Sequence, residues 1–501
     1  MLDYRPDFDP RTKDVLLDVR DMIPTVRGYR SAHAQVSYGL GYTYSLAANE
    51  VYPNYLFASR WVSSPGGIII AATNQKLNVF AFNTGYANVS KAGNYSLAGS
   101  VYQYGEDAAA CFDLCAFGDV LIACHKSTPT QYRTALDLTT GTLFANLTGS
   151  PQANTCCVAR NFVFLGDCGN WSTVTGSPDI LGWSAIGDHT DWTVDPLVTQ
   201  ASFAIFQDTP GPITAVRPFR DGIVVFKANS MYRGRYVGGA DVWAFERISD
   251  KIGCVGKRSV TNIDSSLIFV GKDDIYRYDG TPPTPITMGI CETIRPVLNF
   301  NGHYALLVGH DKNKSSVVFH TSGESYVWSY KYDRWGKQHD VFAGQSIPCY
   351  TNSDDFRGVT LDTVSAGAQS YITTTDHSRI YTLSVANGVP YNRYLARSAL
   401  GRVTTGAIGK PDAMTTLTRV NPIYATRPAT VGNATLAIGA SKTPASFSTI
   451  GTVTMNASYR FDNLGTSGTN NNFFQLTHTC AEDHEILGFD TDPNMKPTGS
   501  R

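Results

Sequence analysis

One hairpin recurs along this chain, and a fold has to accommodate every copy. "GIVVFKANSMYRGRY" (Gly222–Tyr236) has an apolar run, Ile223–Phe226, then four turn-prone residues, then Met231-Tyr232-Arg233. "SLIFVGKDDIYRYDG" (Ser266–Gly280) repeats the design with Leu267–Val270 and Ile275-Tyr276-Arg277. Two short apolar runs around a tight turn predict a β-hairpin. The shape returns in Ser370–Ser384, where Asp376, His377 and Ser378 supply the turn, and more loosely in Gly67–Phe82, Asp119–Arg133 and Ser316–Tyr330. Asn161–Asn170 begins another copy. The starts lie about 45 to 60 residues apart, a period that in a strand-rich chain predicts a β-propeller of four-stranded blades. A blade cannot cover both of its faces alone, so neighbours must close on it. The competing arrangement is a sandwich of unrelated hairpins.

We therefore expect an all-β chain: a propeller of six or seven blades over residues 61–400. An N-terminal arm or packing segment (1–60) precedes it, and a C-terminal antiparallel β region with a tail (401–501) follows. Thr12–Met22 has some helical spacing that stops at Pro24. "GFDTDPNMKPTGSR" reads as a trailing tail, with Asp490 and Asp492 in a solvated turn. The composition agrees with short strands and tight turns: aromatic residues make up 12%, charged residues only 17%, and there are 45 glycines. A formal net charge of −1 argues against a surface built to grip nucleic acid, though not against one past which it slides. No membrane-spanning stretch and no secretory leader is expected. Sequons such as Asn88, Asn94, Asn170 and Asn456 are what an Asn-, Ser- and Thr-rich chain produces by chance.

Catalytic motifs are missing from the sequence. There is no HExxH, GxSxG or GxxxxGK[ST], and Gly39–Tyr44 ("GLGYTY") lacks the third glycine of a dinucleotide loop. Cys111 and Cys115 are four apart and Cys156 and Cys157 adjacent, but no pair has zinc-ligand spacing; reduced, buried thiols are expected. No cofactor, metal or enzymatic activity is expected. "WSAIGDHTDW" places Trp183 and Trp192 around a Gly187-Asp188 turn, either as an aromatic-walled ligand site or as a pinned corner of the scaffold. It also fails the sialidase box S-x-D-x-G-x-T-W, because Ile186 stands where Asp is needed.

The run from "WSAIGDHTDWT" through "ITAVRPFRDGIVVFKANSMYRGRY" to "IGCVGKRSVTNIDSSLIFVGKDDIYRYDG" resembles the nozzle or hub (tail tubular) proteins of short-tailed bacteriophages. The shared elements fall on Trp183, Gly187, Asp188 and Trp192; on Phe219, Arg220 and Asp221; on Gly253, Gly256 and Ser259; and on Asp279 and Gly280. Asp21–Arg30 and the late "LTRVNPIY", "YRFDNLGTSG" and "EILGFDTDP" are similar to that family's two ends, whereas residues 31–160 match only through the hairpin repeat. The resemblance implies a structural virion protein, assembled in the host cytoplasm as a homo-hexamer. Its ring would lie beneath the phage adaptor ring, conduct double-stranded DNA without sequence-specific binding, and dock tail fibres, spikes or a plug. The alternative is a carbohydrate-binding or glycoside-cleaving propeller in receptor recognition, with Trp183, Trp192, Trp328 or Trp335 stacking on sugar. "WSYKYDRWGK" (Trp328–Lys337) would be its best surface, unless that segment is an aromatic outer strand ending at Asp333-Arg334.

Overall fold

The computed structural model describes residues 3–12, 15–31, 38–39, 55–59, 68–73, 75–81, 85–93, 95, 112–134, 141–171, 174–299, 307–311, 315–320, 324–339, 350–352, 380–383, 390–392, 401–410, 413–462, 464, 471–482 and 484–497. Within them, seven four-stranded antiparallel meanders follow one another. Blade one holds Tyr55–Ser59, Ile68–Ala72, Leu77–Ala81 and Gly85–Asn88. Blade two holds Asp113–Phe117, Val120–His125, Thr128–Arg133 and Ala145–Asn146. Blade three holds Thr155–Ala159, Phe162–Cys168, Ser177–Trp183 and Ser202–Ile205. Blade four holds Ile213–Phe219, Gly222–Lys227, Met231–Gly238 and Val242–Ser249. Blade five holds Val260–Ile263, Ser266–Val270, Ile275–Tyr278 and Thr284–Pro285. Blade six holds Leu307–Asp311, Ser316–His320, Glu324–Ser329 and Arg334–His339. Blade seven holds Tyr350–Asn352, Ile380–Leu383 and Pro390–Asn392, and takes its fourth strand, Tyr38–Gly39, from near the N-terminus.

The first strand of each blade touches the first strand of the next, and blade seven returns to blade one. That closed circuit makes the chain a seven-bladed β-propeller. Chain from both ends shares blade seven, so opening the ring would break a paired sheet.

Local chemistry explains the regularity. The second strands Phe162–Cys168, Gly222–Lys227 and Ser266–Val270 are buried along their whole length, as expected for strands covered on both faces. In blades two to five the first and second strands join through two-residue turns: Gly118-Asp119, Arg160-Asn161, Arg220-Asp221 and Asp264-Ser265. Each contains a residue at positive φ, from 47° to 60°. Such turns match the right-handed twist of the flanking strands.

The segments around the propeller depart from the sequence expectations. The described residues of Thr12–Met22 form no helix; Val15–Arg20 is a strand paired with Gly401–Thr405. Residues 1–60 are not a separate arm: they contribute the closing strand of blade seven, the first strand of blade one, and Met22–Pro24, which continues blade six at Lys337. From there the sheet runs through Tyr29–Ser31, Glu485–Pro497 and Ala413–Thr426 to Phe461–Asp462. The expected tail is therefore mostly strand, and Asp490 and Asp492 lie inside Glu485–Pro497, not in a turn. A second sheet, including Gly401–Thr405, Phe473–Cys480, Ala434–Ser441 and Ser448–Thr454, packs on it through Leu417, Val420, Leu436, Ile438, Phe461 and Leu476. The first run and turn of the hairpin expected at Ser370–Ser384, and most of Gly39–Tyr44, lie outside the described residues.

Candidate functional site

Two features gather the polar and aromatic residues of interest: the face carrying the shared sequence elements, and a polar cluster among the innermost strands.

On the face, the loop between the third and fourth strands of blade three is built from "WSAIGDHTDW". Trp183 ends the third strand 1% exposed, donates its indole N–H to the Gln200 carbonyl at 2.8 Å, and packs on Phe164 and Phe245. Gly187 adopts φ +76° and donates its N–H to Asn161 O in the blade's own first turn at 2.8 Å. Asp188 accepts from the Thr190 hydroxyl at 2.6 Å and its N–H at 2.8 Å, which holds its carboxyl below the ordinary range. Trp192, 2% exposed, donates to His189 O at 2.8 Å and meets Trp171 edge-on at 6.4 Å. The segment is a scaffold corner, as its burial and satisfied indoles require.

Blades four and five meet on the same face. Phe219 packs on Tyr278 with ring centroids 4.9 Å apart, and the guanidinium groups of Arg220 and Arg233 lie 5.0 and 5.7 Å from its ring. Arg220 also donates to the Asp279 carbonyl. Gly280 sits at φ +103°, and a side chain there would press on the Arg220 guanidinium at 3.1 Å. Asp279 is tied to Thr281, whose hydroxyl donates at 2.6 Å and holds the carboxyl low, while Asp221 is exposed. Gly253 and Gly256 lie elsewhere, on the connection between blades four and five. A Cβ on Gly253 would come within 2.2 Å of Lys227 O, and Gly256 O accepts the Ser259 hydroxyl at 2.6 Å.

The inner cluster was not singled out by sequence reasoning. The Asp113 carboxylate accepts from Thr155 Oγ1 at 2.7 Å, Cys156 N at 3.1 Å and Arg217 Nη1 at 3.1 Å. Arg217 also donates to Lys257 O, and Lys257 Nζ donates to Asn154 O at 2.8 Å and Asn154 Oδ1 at 2.9 Å. These residues come from the first strands of blades two, three and four and from the segments leading into blades three and five, so they tie four blades together. The signal in the sequence is a charge inside apolar strand text: Arg217 in "ITAVRPF" and Lys257 in "GCVGKRS".

A glycosidase acid needs a raised carboxyl pKa, whereas Asp188 and Asp279 are shifted the other way by their threonines. Trp183, Trp192, Trp328 and Trp335 are each 1–2% exposed and have no free face for a sugar. Trp328 instead donates to Asp333 Oδ1 at 3.0 Å within the outer hairpin of blade six. The face does expose apolar side chains: in the loop between the third and fourth strands of blade three, Leu197 and Val198 are 75% and 78% exposed. A hydrogen bond of 3.0 Å from Tyr236 Oη to Gln200 Oε1 joins that loop to blade four.

No protein-family model and no curated protein matches this chain. Among solved structures it is similar to the extracellular domain of a one-component system protein from B. thetaiotaomicron, at 10% identity and TM-score 0.39, over 77% of this chain and 43% of that one. It is also similar to YCF48 from Cyanidioschyzon merolae, at 11% identity and TM-score 0.35, over 69% of this chain and 97% of that one. A third is the CNH domain of AfRom2, at 8% identity and TM-score 0.39, over 72% and 99%. The chain thus spans less than half the length of the first of these.

Proposed function

We propose that this protein is the tail nozzle or hub subunit of a short-tailed phage. Six copies would form a tube below the adaptor ring, with duplex DNA passing along the shared axis and fibres, spikes or a plug docked outside. One observation carries the reading. The residues matched to the nozzle family, from Trp183 to Gly280, lie in three consecutive blades and the connection between the last two, where most of them pin corners and blade contacts. The face most of them build leaves Leu197 and Val198 open to solvent. Exposed apolar side chains on a rigid corner are what an assembly contact uses.

Two further points agree with it. The inner strands of a single propeller are bridged by the Asp113–Arg217–Lys257 cluster, which suits a conduit formed between copies around a shared symmetry axis. A formal net charge of −1 suits a lumen that must release its cargo, since each cation paired with phosphate would hold the DNA back.

The test is mass in solution across a concentration series, with and without the adaptor protein. The expected result is a hexamer, or hexamer formation on the adaptor ring, weakened by Leu197→Asp with Val198→Asp while thermal stability is kept. A chain that stays monomeric in every mixture, or that binds or cleaves a glycan as a monomer, overturns the proposal.

A further inference from the structure

Four of the eight cysteines among the described residues gather in one blade interface. Cys115, Cys124, Cys156 and Cys168 share the buried core between blades two and three. Strand register brings two of these thiols and the Asp113 carboxylate to one spot. Asp113 lies directly opposite Cys124 across the first hairpin of blade two, and Cys115 follows two residues later on the same face. Cys156 comes across from the first strand of blade three. The ligand atoms of Asp113, Cys124 and Cys156 all lie within 4.8 Å of one another, and all three residues are buried. Cys115 is buried in the same cluster, on the strand face that carries Asp113.

We propose that Cys124, Cys156 and the Asp113 carboxylate bind one zinc ion, with Cys115 on the Asp113 strand face closing a tetrahedral site that locks blade two to blade three. The donor chemistry selects the metal: three sulfurs and one oxygen in a tetrahedral set suit zinc, and hard cations prefer all-oxygen shells. The carboxylate is already oriented by the Thr155 hydroxyl, the Cys156 N–H and Arg217, as outer-shell donors orient metal-ligating carboxylates. Plain apolar packing would need no carboxylate facing the thiols.

Charge balance works too. Three thiolates and a carboxylate around a dication leave two negative charges, beside the two cations Arg217 and Lys257. On binding, each of the three S–H bonds gives its proton to solvent as a Zn–S bond forms, with no change of oxidation state.

The full chain should be produced in zinc-supplemented and, separately, cobalt-supplemented medium, then purified under reductant without chelator. We expect about one metal ion per chain. The cobalt form should show thiolate-to-cobalt charge transfer in the near ultraviolet and intense tetrahedral bands in the visible. Cys124→Ser and Cys156→Ser should lower metal content at least about tenfold, and Cys254→Ser should leave it unchanged. A parent chain free of metal in both preparations, a cobalt form without thiolate charge transfer, or full zinc retention in Cys124→Ser overturns the site. If the serine variants do not fold, the parent's metal content and cobalt spectrum decide.

Discussion

Blade three presents two unlike faces, and adjacent cysteines mark the divide. Cys157 belongs to the core shared with blade four, Cys156 to the core shared with blade two. Toward blade four the packing is aromatic: Phe164 meets Trp243 at 5.0 Å and 84°, and Phe206 meets Phe245 at 5.1 Å and 89°. Toward blade two the same sheet meets thiols, a buried carboxylate and the Trp171–Trp192 pair. One meander thus serves two kinds of interface. Edge-to-face rings supply non-directional area plus a preferred geometry. A buried polar cluster adds little net stability, but every partner depends on the others. A repeat architecture can therefore carry chemistry at one junction while its neighbours stay structural.

The aromatic face should yield the largest loss. Trp183→Ala removes a fully buried ring and its bond to Gln200 O, so we expect about 3–5 kcal/mol from denaturant unfolding. A loss below about 1 kcal/mol would mean that blade three can collapse around the gap, and that its two faces are less different than drawn here. On the polar face, Asp113→Ala leaves the Thr155 hydroxyl, the Cys156 N–H and Arg217 without that acceptor. About 1–3 kcal/mol is expected. Asp113→Asn, which keeps one acceptor oxygen, should recover part of it. Equal losses for Asn and Ala would show that charge, not hydrogen bonding, holds this junction.

The parts legible in the sequence were those where local chemistry repeats. Each clear hairpin from Gly67 to Tyr330 is the central pair of strands of a blade, and in blades two, four and five its first run is the most buried strand. Outer strands such as Ala145–Asn146 and Thr284–Pro285 are two residues long and carry no pattern. The closing strand Tyr38–Gly39 is as short, and its partner lies some 350 residues away, so no local signal could announce which segment closes the seventh blade. "GFDTDPN" has the composition of a turn, yet register shifts along Ala413–Thr426 let it run as strand. Trp183 and Trp192 could be read either as a ligand wall or as a corner; only burial separates the two. The thiol cluster was hidden for a different reason. Zinc-spacing rules describe ligands in one local loop, and here the donors come from three strands of two blades.

The smallest effect should sharpen the comparison through pH. His189 reaches from the blade-three loop to blade two, its ring 5.7 Å from Phe117 and 5.5 Å from Tyr132. Burial holds its pKa below the ordinary 6.5. The folded state thus prefers the neutral ring. Its contribution is complete above about pH 6.5 and is lost as pH falls from there through the lowered folded value. Among the described residues, the aromatic core between blades three and four contains no histidine. His189→Phe should therefore lose less stability than the parent between about pH 7 and 5, and match it in salt response. His478, buried in the C-terminal sheets and pushed down to about 3, titrates identically in both proteins and cancels in the difference. If parent and variant follow the same acid curve, the blade-two interface is no more pH-sensitive than the aromatic one, and the contrast between them is one of packing alone.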